Sequence, residues 1–261
     1  MSDFFSKLRR LGAVEILERS RQKLLQPVFG THYRPNVADE GFEPQPGTDI
    51  ERLFFEKTGN QVTKWHHYLE IYDRHLSHLR GTRFKMLEIG VFRGGSLELW
   101  RNYFGPDAEI WGVDINPACA EFDGLSGNVR IGSQADKSFL HSVVDEMGGV
   151  DVIIDDGSHD SRHIKASFDA LFPRLSEGGQ YIVEDLHCSY WLEYSGGYRW
   201  PWSFINQSKK MIDDMHHWYH PKGQKVAATR GTLKAMHIYD SVMVFDKATV
   251  PRPVMSYRPK K

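Results

Sequence analysis

Between residues 85 and 184, short apolar runs alternate with longer stretches whose apolar positions recur at helical spacing. The runs 85–89 (KMLEI), 109–114 (EIWGVD), 128–132 (NVRIG), 150–155 (VDVIID) and 179–184 (GQYIVE) predict strands. Residues 95–104, 136–147, 160–175 and 203–217 predict helices. This alternation implies a Rossmann-like, doubly wound α/β fold, with a mostly parallel sheet covered by helices on both faces. The tail 234–246 (KAMHIYDSVMVFD) reads as two strands joined at Asp240–Ser241. That turn is too short for a parallel crossover, so the last strand is expected to run antiparallel.

Upstream, Trp65, Tyr68, Leu69, Tyr72, Leu76 and Leu79 share one face of a predicted helix over 63–79. Residues 3–25 also predict a helix, with Phe4, Leu8, Leu11, Leu17 and Leu24 set among Lys7, Arg9, Arg10, Arg19, Arg21 and Lys23. Residues 1–25 hold six basic and three acidic side chains. Such a helix suits docking on its own core or a sister subunit, with contact to an anionic membrane surface as the rival reading. Residues 26–49 are rich in Pro and Gly and read as a linker or irregular arm. The expected division is therefore an N-terminal helix and arm (1–49) followed by one domain (50–261).

Composition narrows the class. The chain has 261 residues, 40% hydrophobic and 26% charged, with a formal net charge of −1. These are globular values, and the missing basic excess argues against nucleic acid as a partner. No apolar run is long enough for a membrane span, and the N-terminus lacks a secretory signal. Cys119 and Cys188 are too few for a disulfide framework. The expectation is a cytoplasmic protein, with the N-terminal arm suggesting a homo-oligomer.

The segment MLEIGVFRGGS (86–96) combines a strand, a glycine loop and a helix start. Gly90, Gly94 and Gly95 let the backbone turn and approach a ligand at the carboxyl edge of the sheet. Phe92 occupies the position where a dinucleotide fingerprint needs its second glycine, which disfavours a nicotinamide cofactor. A nucleoside without phosphates fits better. Asp114 ends the next strand, where a carboxylate can accept both ribose hydroxyls, and Glu88 can accept from an ammonium group. Together these suggest S-adenosylmethionine (SAM); the plain alternative is a glycine turn.

The fourth strand ends in IIDDGSH (153–159), and the fifth runs into YIVEDLHCSYW (181–191). Parallel strands place their carboxyl ends on one edge, so Asp156, Glu184 and Asp185 are expected to converge there. Three carboxylates at one point call for a cation, and oxygen-only ligands suit Mg²⁺. The alternative is that Asp155, Asp156 and Asp185 cap helices or form turns. His159 lies three residues past Asp156, where a neutral imidazole is placed to take a hydroxyl proton. His163 is expected to be solvated, and His187 is a weaker candidate. Residues 190–202 (YWLEYSGGYRWPW) concentrate aromatic rings that fit either an acceptor lid hinged at Gly196–Gly197 or a packed loop. Met211, Trp218 and Tyr219 are expected in the core.

Glu88-x-Gly90-x-x-x-Gly94 followed by Asp114 resembles the first motif and its successor in class I SAM-dependent methyltransferases, as does the terminal antiparallel hairpin. That resemblance implies that Gln134 and Ala135 in IGSQAD (131–136) lie beside the adenine. Asp155 is counted with them as cofactor-binding. The longer segments LEIGVFRGGSLELW, DDGSHDSRHIKASFDALFPRLSEGGQYIVEDLHCSYW and HIYDS are similar to macrocin- and mycinamicin-type sugar O-methyltransferases, to rhamnosyl O-methyltransferases and to the cephalosporin-hydroxylase-like group. The resemblance covers about residues 50–246. It implies a divalent cation holding two neighbouring sugar hydroxyls, His159 as base, and Asp156 and Asp185 as ligands. The 28- and 29-residue steps from Asp156 to Glu184 and Asp185 resemble the spacing in catechol O-methyltransferases and add Glu184. One departure is that relatives often carry Asp-Lys-Gly upstream of His66-x-Tyr68, where this chain has Thr58-Gly59-Asn60-Gln61. The resulting expectation is a SAM- and metal-dependent O-methyltransferase acting on a sugar hydroxyl. The rivals are methylation of a catechol-like diol, an oxygenase recognised by dioxygen consumption, and a scaffold recognised by failure to bind SAM.

Overall fold

The structure is a computed structural model that describes residues 20, 21, 23–28, 43–220 and 222–259. Most of the expected N-terminal helix, and residues 29–42 of the expected arm, lie outside the described residues. Residues 23–28 are helical, past the expected end at 25. Among the described residues no helix is long and apolar enough to cross a membrane.

One sheet organises the domain. Its strands are β1 (Lys85–Ile89), β2 (Glu109–Asp114), β3 (Asn128–Ile131), β4 (Val150–Asp155), β5 (Leu175–Val183), β6 (Leu233–Ile238) and β7 (Met243–Lys247). The order is β3-β2-β1-β4-β5-β7-β6. Strands β1 to β5 pair in parallel, and β7 runs antiparallel to both β5 and β6. The expected terminal hairpin is thus present. Strand β5 begins earlier than the apolar run suggests, because Leu175 already pairs with Val150 across a bulge.

Helices α1 (Asp49–Phe55), α2 (His66–Leu76) and α3 (Gly95–Phe104) cover one face, where Ile50, Tyr72 and Trp100 pack on Met86, Ile154 and Val244. Helices α4 (Lys137–Met147), α5 (Ser161–Leu171) and α6 (Phe204–Met215) cover the other. There Phe168 stands among Phe172, Tyr181, Phe204 and Phe245, at ring-centroid distances of 4.9 to 5.8 Å. Strand alternation explains the division: Tyr181 and Val183 point to one layer, Ile182 to the other. Helix α1 was not anticipated, although Thr48 and Glu51 form a reciprocal capping box that fixes its start. Of the residues expected in the core behind α6, Met211 is buried. Trp218 and Tyr219 are 44% and 73% exposed, because the chain leaves the helix at His216 before reaching them.

Candidate active site

The strand order reverses between β1 and β4, which opens a crevice at their carboxyl ends. Three strand tips meet there. Gly90 follows β1, and its N–H donates to Val113 O at 2.8 Å. Asp156 donates its N–H to Ile89 O at 3.0 Å, and Glu184 donates to Asp155 O at 3.0 Å. Gly90 has φ of +100°, and a Cβ there would fall 2.2 Å from the Asp156 carbonyl oxygen. Only glycine lets the β1 tip run this close to the β4 tip.

The cofactor candidates divide into two groups. Asp114 faces the loop and accepts from the N–H groups of Val91 and Phe92, both at 2.9 Å, and of Asn116 at 2.8 Å. It therefore fixes the loop shape. Beside it Ile115 is 72% exposed, an uncovered apolar surface of the kind a purine face packs against. Gln134 accepts from Ser158 N–H at 2.7 Å, and Ala135 next to it is exposed. Glu88 and Asp155 are instead sealed inside. Glu88 accepts from Ser96 Oγ at 2.7 Å and from Trp100 Nε1 at 3.0 Å, which ties β1 to α3. Burial pushes its carboxyl up to about 7, against the pull of Lys64. Asp155 accepts from Ser167 Oγ at 2.5 Å, Tyr181 Oη at 2.7 Å and Gln134 Nε2 at 3.1 Å. Its carboxylate orients Gln134 from behind, and burial raises its pKa.

Asp156, His159 and Asp185 come together: one ligand atom from each lies within 4.8 Å of the others. His159 Nε2 is 3.5 Å from Asp185 Oδ2. The other Asp185 oxygen accepts from Tyr68 Oη at 2.7 Å and Trp65 Nε1 at 3.2 Å. His159 and Asp185 both adopt left-handed backbone, at φ of 56° and 52°. Non-glycine residues occupy that region at a cost, which marks the two positions as constrained by more than their loops.

Glu184 is turned away from this cluster. Its side chain is 1% exposed and meets Lys64 Nζ at 2.7 Å, while the same ammonium sits 2.5 Å from Asp156 Oδ2. Burial alone would lower the Lys64 ammonium, but Asp156, Glu184 and Glu88 outweigh it and hold it above its usual range. The carboxylates that face His159 are therefore Asp156 and Asp185, with Glu184 behind Asp156 under a lysine.

Lys64 is the site residue that sequence reasoning missed. It arrives on a segment fastened to α3. Lys57 pairs with Glu98, Asn60 N–H donates to Glu98 Oε2 at 3.1 Å, and Arg93 reaches Gln61 Oε1 at 2.8 Å. A Cβ on Gly95 would lie 2.2 Å from the Gln61 carbonyl oxygen, so the fit is backbone against backbone.

The remaining candidates take lesser places. His163 Nδ1 is 2.9 Å from Ser158 Oγ, a local contact. His187 Nδ1 lies 2.5 Å from Ser241 Oγ and 3.9 Å from Asp185, and burial lowers its pKa. Rings line the crevice around it, with Trp65 at 5.5 Å and Trp191 at 4.9 Å from His187, and Tyr194 at 6.3 Å from His159. Gly196 and Gly197 sit in a loop closed by its own backbone, although Tyr198 and Trp202 are exposed. Gly196 N–H donates to Trp191 O and Gly197 N–H to Ser189 O, both at 3.0 Å, so the aromatic segment is a packed loop.

The fold is that of class I methyltransferase domains, and a family described as a methyltransferase domain matches residues 87–186. The chain shares that fold, and it is similar to sugar O-methyltransferases. It is 32% identical, over 79% of its length and 61% of the relative's, to the 8-demethyl-8-alpha-L-rhamnosyl tetracenomycin-C 2'-O-methyltransferase of Streptomyces olivaceus. It is 33% identical, over 70% of its length and 48% of the relative's, to the Mycinamicin VI 2''-O-methyltransferase of Micromonospora griseorubida. Among solved structures, MycE methyltransferase from the mycinamycin biosynthetic pathway, in complex with Mg, SAH and mycinamycin VI, superposes with a TM-score of 0.67 at 30% identity. That match covers 77% of this chain and 53% of that one. The chain thus spans about half to three fifths of the length of the relatives it matches.

Proposed function

We propose that this chain is a SAM-dependent, divalent-metal-dependent O-methyltransferase acting on a sugar hydroxyl of a glycoside. The observation that carries the reading is the meeting of Asp156, His159 and Asp185 beside the β1 loop. The relatives support it, being sugar O-methyltransferases by name, and MycE binds Mg and SAH.

The residues present fit both groups. The Asp114 carboxylate, the exposed Ile115 face and Ala135 surround a place for the nucleoside end of SAM. Asp156 and Asp185 offer oxygen donors for a hard cation, while Glu184 stays behind Asp156 under Lys64. When bound, the cation acidifies a sugar hydroxyl, and SAM presents an electrophilic methyl group. The chain's own side chains do the rest. Asp185 faces the His159 ring and stabilises the imidazolium that forms when Nε2 accepts the hydroxyl proton. Tyr68 and Trp65 hold Asp185 in that orientation from its other oxygen. The Trp65, Trp191 and Tyr194 rings give a sugar or its aglycone flat surfaces against which to lie.

The test is methyl transfer from labelled SAM to rhamnosylated and other deoxysugar glycosides, with and without a chelator. Label should appear on the sugar, disappear with chelator and return with Mg²⁺. Transfer to a catechol but to no glycoside, or indifference to the chelator, removes the sugar or the metal from the reading.

A further inference from the structure

A second cluster of metal-binding side chains lies away from the crevice, on the sheet face under α2. His237 of β6, Asp246 of β7 and His75 near the end of α2 place one ligand atom each within 4.8 Å of the others. Strand pairing explains the meeting. His237 pairs with Val244, Asp246 lies two residues further along β7, and Gln180 of β5 pairs with Asp246. All three side chains therefore point to the layer occupied by α2. His237 Nε2 is 2.9 Å from Asp246 Oδ2, and the two imidazole rings are 4.6 Å apart between centroids.

We propose that His75, His237 and Asp246 bind one zinc-like divalent cation, separate from the oxygen-rich site of the crevice. Two imidazoles and a carboxylate are a ligand set for a borderline transition metal rather than for Mg²⁺. Tetrahedral ligands around zinc stand about 3.3 Å apart, so the three atoms need to close by at most about 1.5 Å. The surroundings supply what such ligands require. His75 Nε2 is 2.9 Å from Tyr239 Oη, a partner able to take the Nε2 proton and leave Nδ1 as the ligand. Burial first, and then the neighbouring His237, hold His75 below the usual histidine range, which favours the neutral form that ligates.

A further observation points into the same place. The Gln180 amide contacts both Asp246 Oδ1, at 2.9 Å, and His75 Nδ1, at 3.4 Å, through its nitrogen, while its Oε1 is buried with no hydrogen-bond partner among the described residues. The amide N–H groups therefore hold Asp246 and the His75 Nδ1 lone pair aimed at one point, the arrangement a cation would take over. The cation would then join the far end of α2 to the β6–β7 edge. The same helix carries Tyr68 against Asp185 two turns away.

The experiment is zinc titration of the chelator-treated full chain against a chromophoric competitor, comparing the unaltered protein with His237→Ala and Asp246→Asn. His237 is 38% exposed on an edge strand, so its removal leaves the core intact, and circular dichroism confirms that each variant folds. Each variant is expected to bind one zinc equivalent fewer, and zinc is expected to raise the Tm of the unaltered chain by several degrees more than that of either variant. Equal stoichiometry and equal Tm shifts in all three proteins would overturn the proposal. Neither readout depends on methyl transfer, so failure here is separable from failure of the functional reading.

Discussion

Lys64 Nζ reaches Glu184 Oε2 at 2.7 Å across 120 positions of sequence, and both side chains are shut off from solvent. The ammonium is shared with Asp156, so one cation faces two carboxylates at the base of the crevice. Removing one member of a buried ion pair strands the other without water, which costs about 3–5 kcal/mol. Lys64→Met is expected to lower stability by that order in urea denaturation. The double variant Lys64→Met/Glu184→Gln is expected to recover part of the loss, since the sealed Glu184 charge is gone and Asp156, the other partner, still reaches solvent. Additive losses would show that the two side chains do not depend on each other.

His159→Ala is expected to reduce methyl transfer by about 10²–10⁴-fold, the range for a positioned base. SAM affinity by calorimetry should stay near that of the unaltered chain, because Asp114 and Glu88, not His159, fix the β1 loop. Retained turnover would give the proton to another group, with His187 the next to examine.

Tyr68→Phe removes one hydrogen bond to a carboxylate, worth about 1.5–3 kcal/mol when the acceptor is charged. Asp185 then loses the shorter of the two side-chain bonds that fix its orientation and keeps only that from Trp65 Nε1. Cation affinity, read from Mg²⁺ dependence of the rate, is expected to weaken by about 10–100-fold. An unchanged metal requirement would show that Asp185 is held by other means.

Glu88 sets a pH dependence of folding. Burial lifts its carboxyl from an ordinary 4.5 to about 7, so the folded chain holds this proton more firmly than the unfolded one. Its contribution favours folding fully below pH 4.5 and drains away as pH rises to about 7, about 3 kcal/mol in all. Glu88→Gln keeps an acceptor for Ser96 or Trp100 without a proton to lose. Denaturation at pH 5 and pH 8 is expected to show a smaller difference for this variant than for the unaltered protein. Matching differences would mean that the carboxyl is ionised throughout.

The sheet was legible because its rules are local. Runs such as Val152–Ile154 are apolar throughout when both faces are covered, and Asp240–Ser241 leaves room only for a hairpin. The meeting of Asp156 with Asp185 follows from the same logic, since each ends a parallel strand. Side-chain direction was not legible. Glu184 and Asp185 are adjacent, but the left-handed turn at Asp185 sends one toward Lys64 and the other toward His159. Lys64 gave no local signal, because a single lysine in a polar stretch reads as solvated until the chain folds it over the β4 and β5 tips. Glu88 and Asp155 looked like ligand contacts, yet Trp100, Ser167 and Tyr181, which occupy them, come from other elements. Thr48-x-x-Glu51 did announce helix α1, but stood at the end of a Pro- and Gly-rich stretch that masked it.

The left-handed backbone that His159 shares with Asp185 puts robustness and turnover in opposition at one of the two positions. Glycine accepts that geometry without a Cβ penalty, so a library screened only for heat resistance should drift toward glycine at 159, whereas the bonds from Tyr68 and Trp65 offset the same penalty at 185. Chains that kept histidine at 159 would be holding it against that drift, which makes the position a sensitive reporter of whether a lineage still performs the reaction.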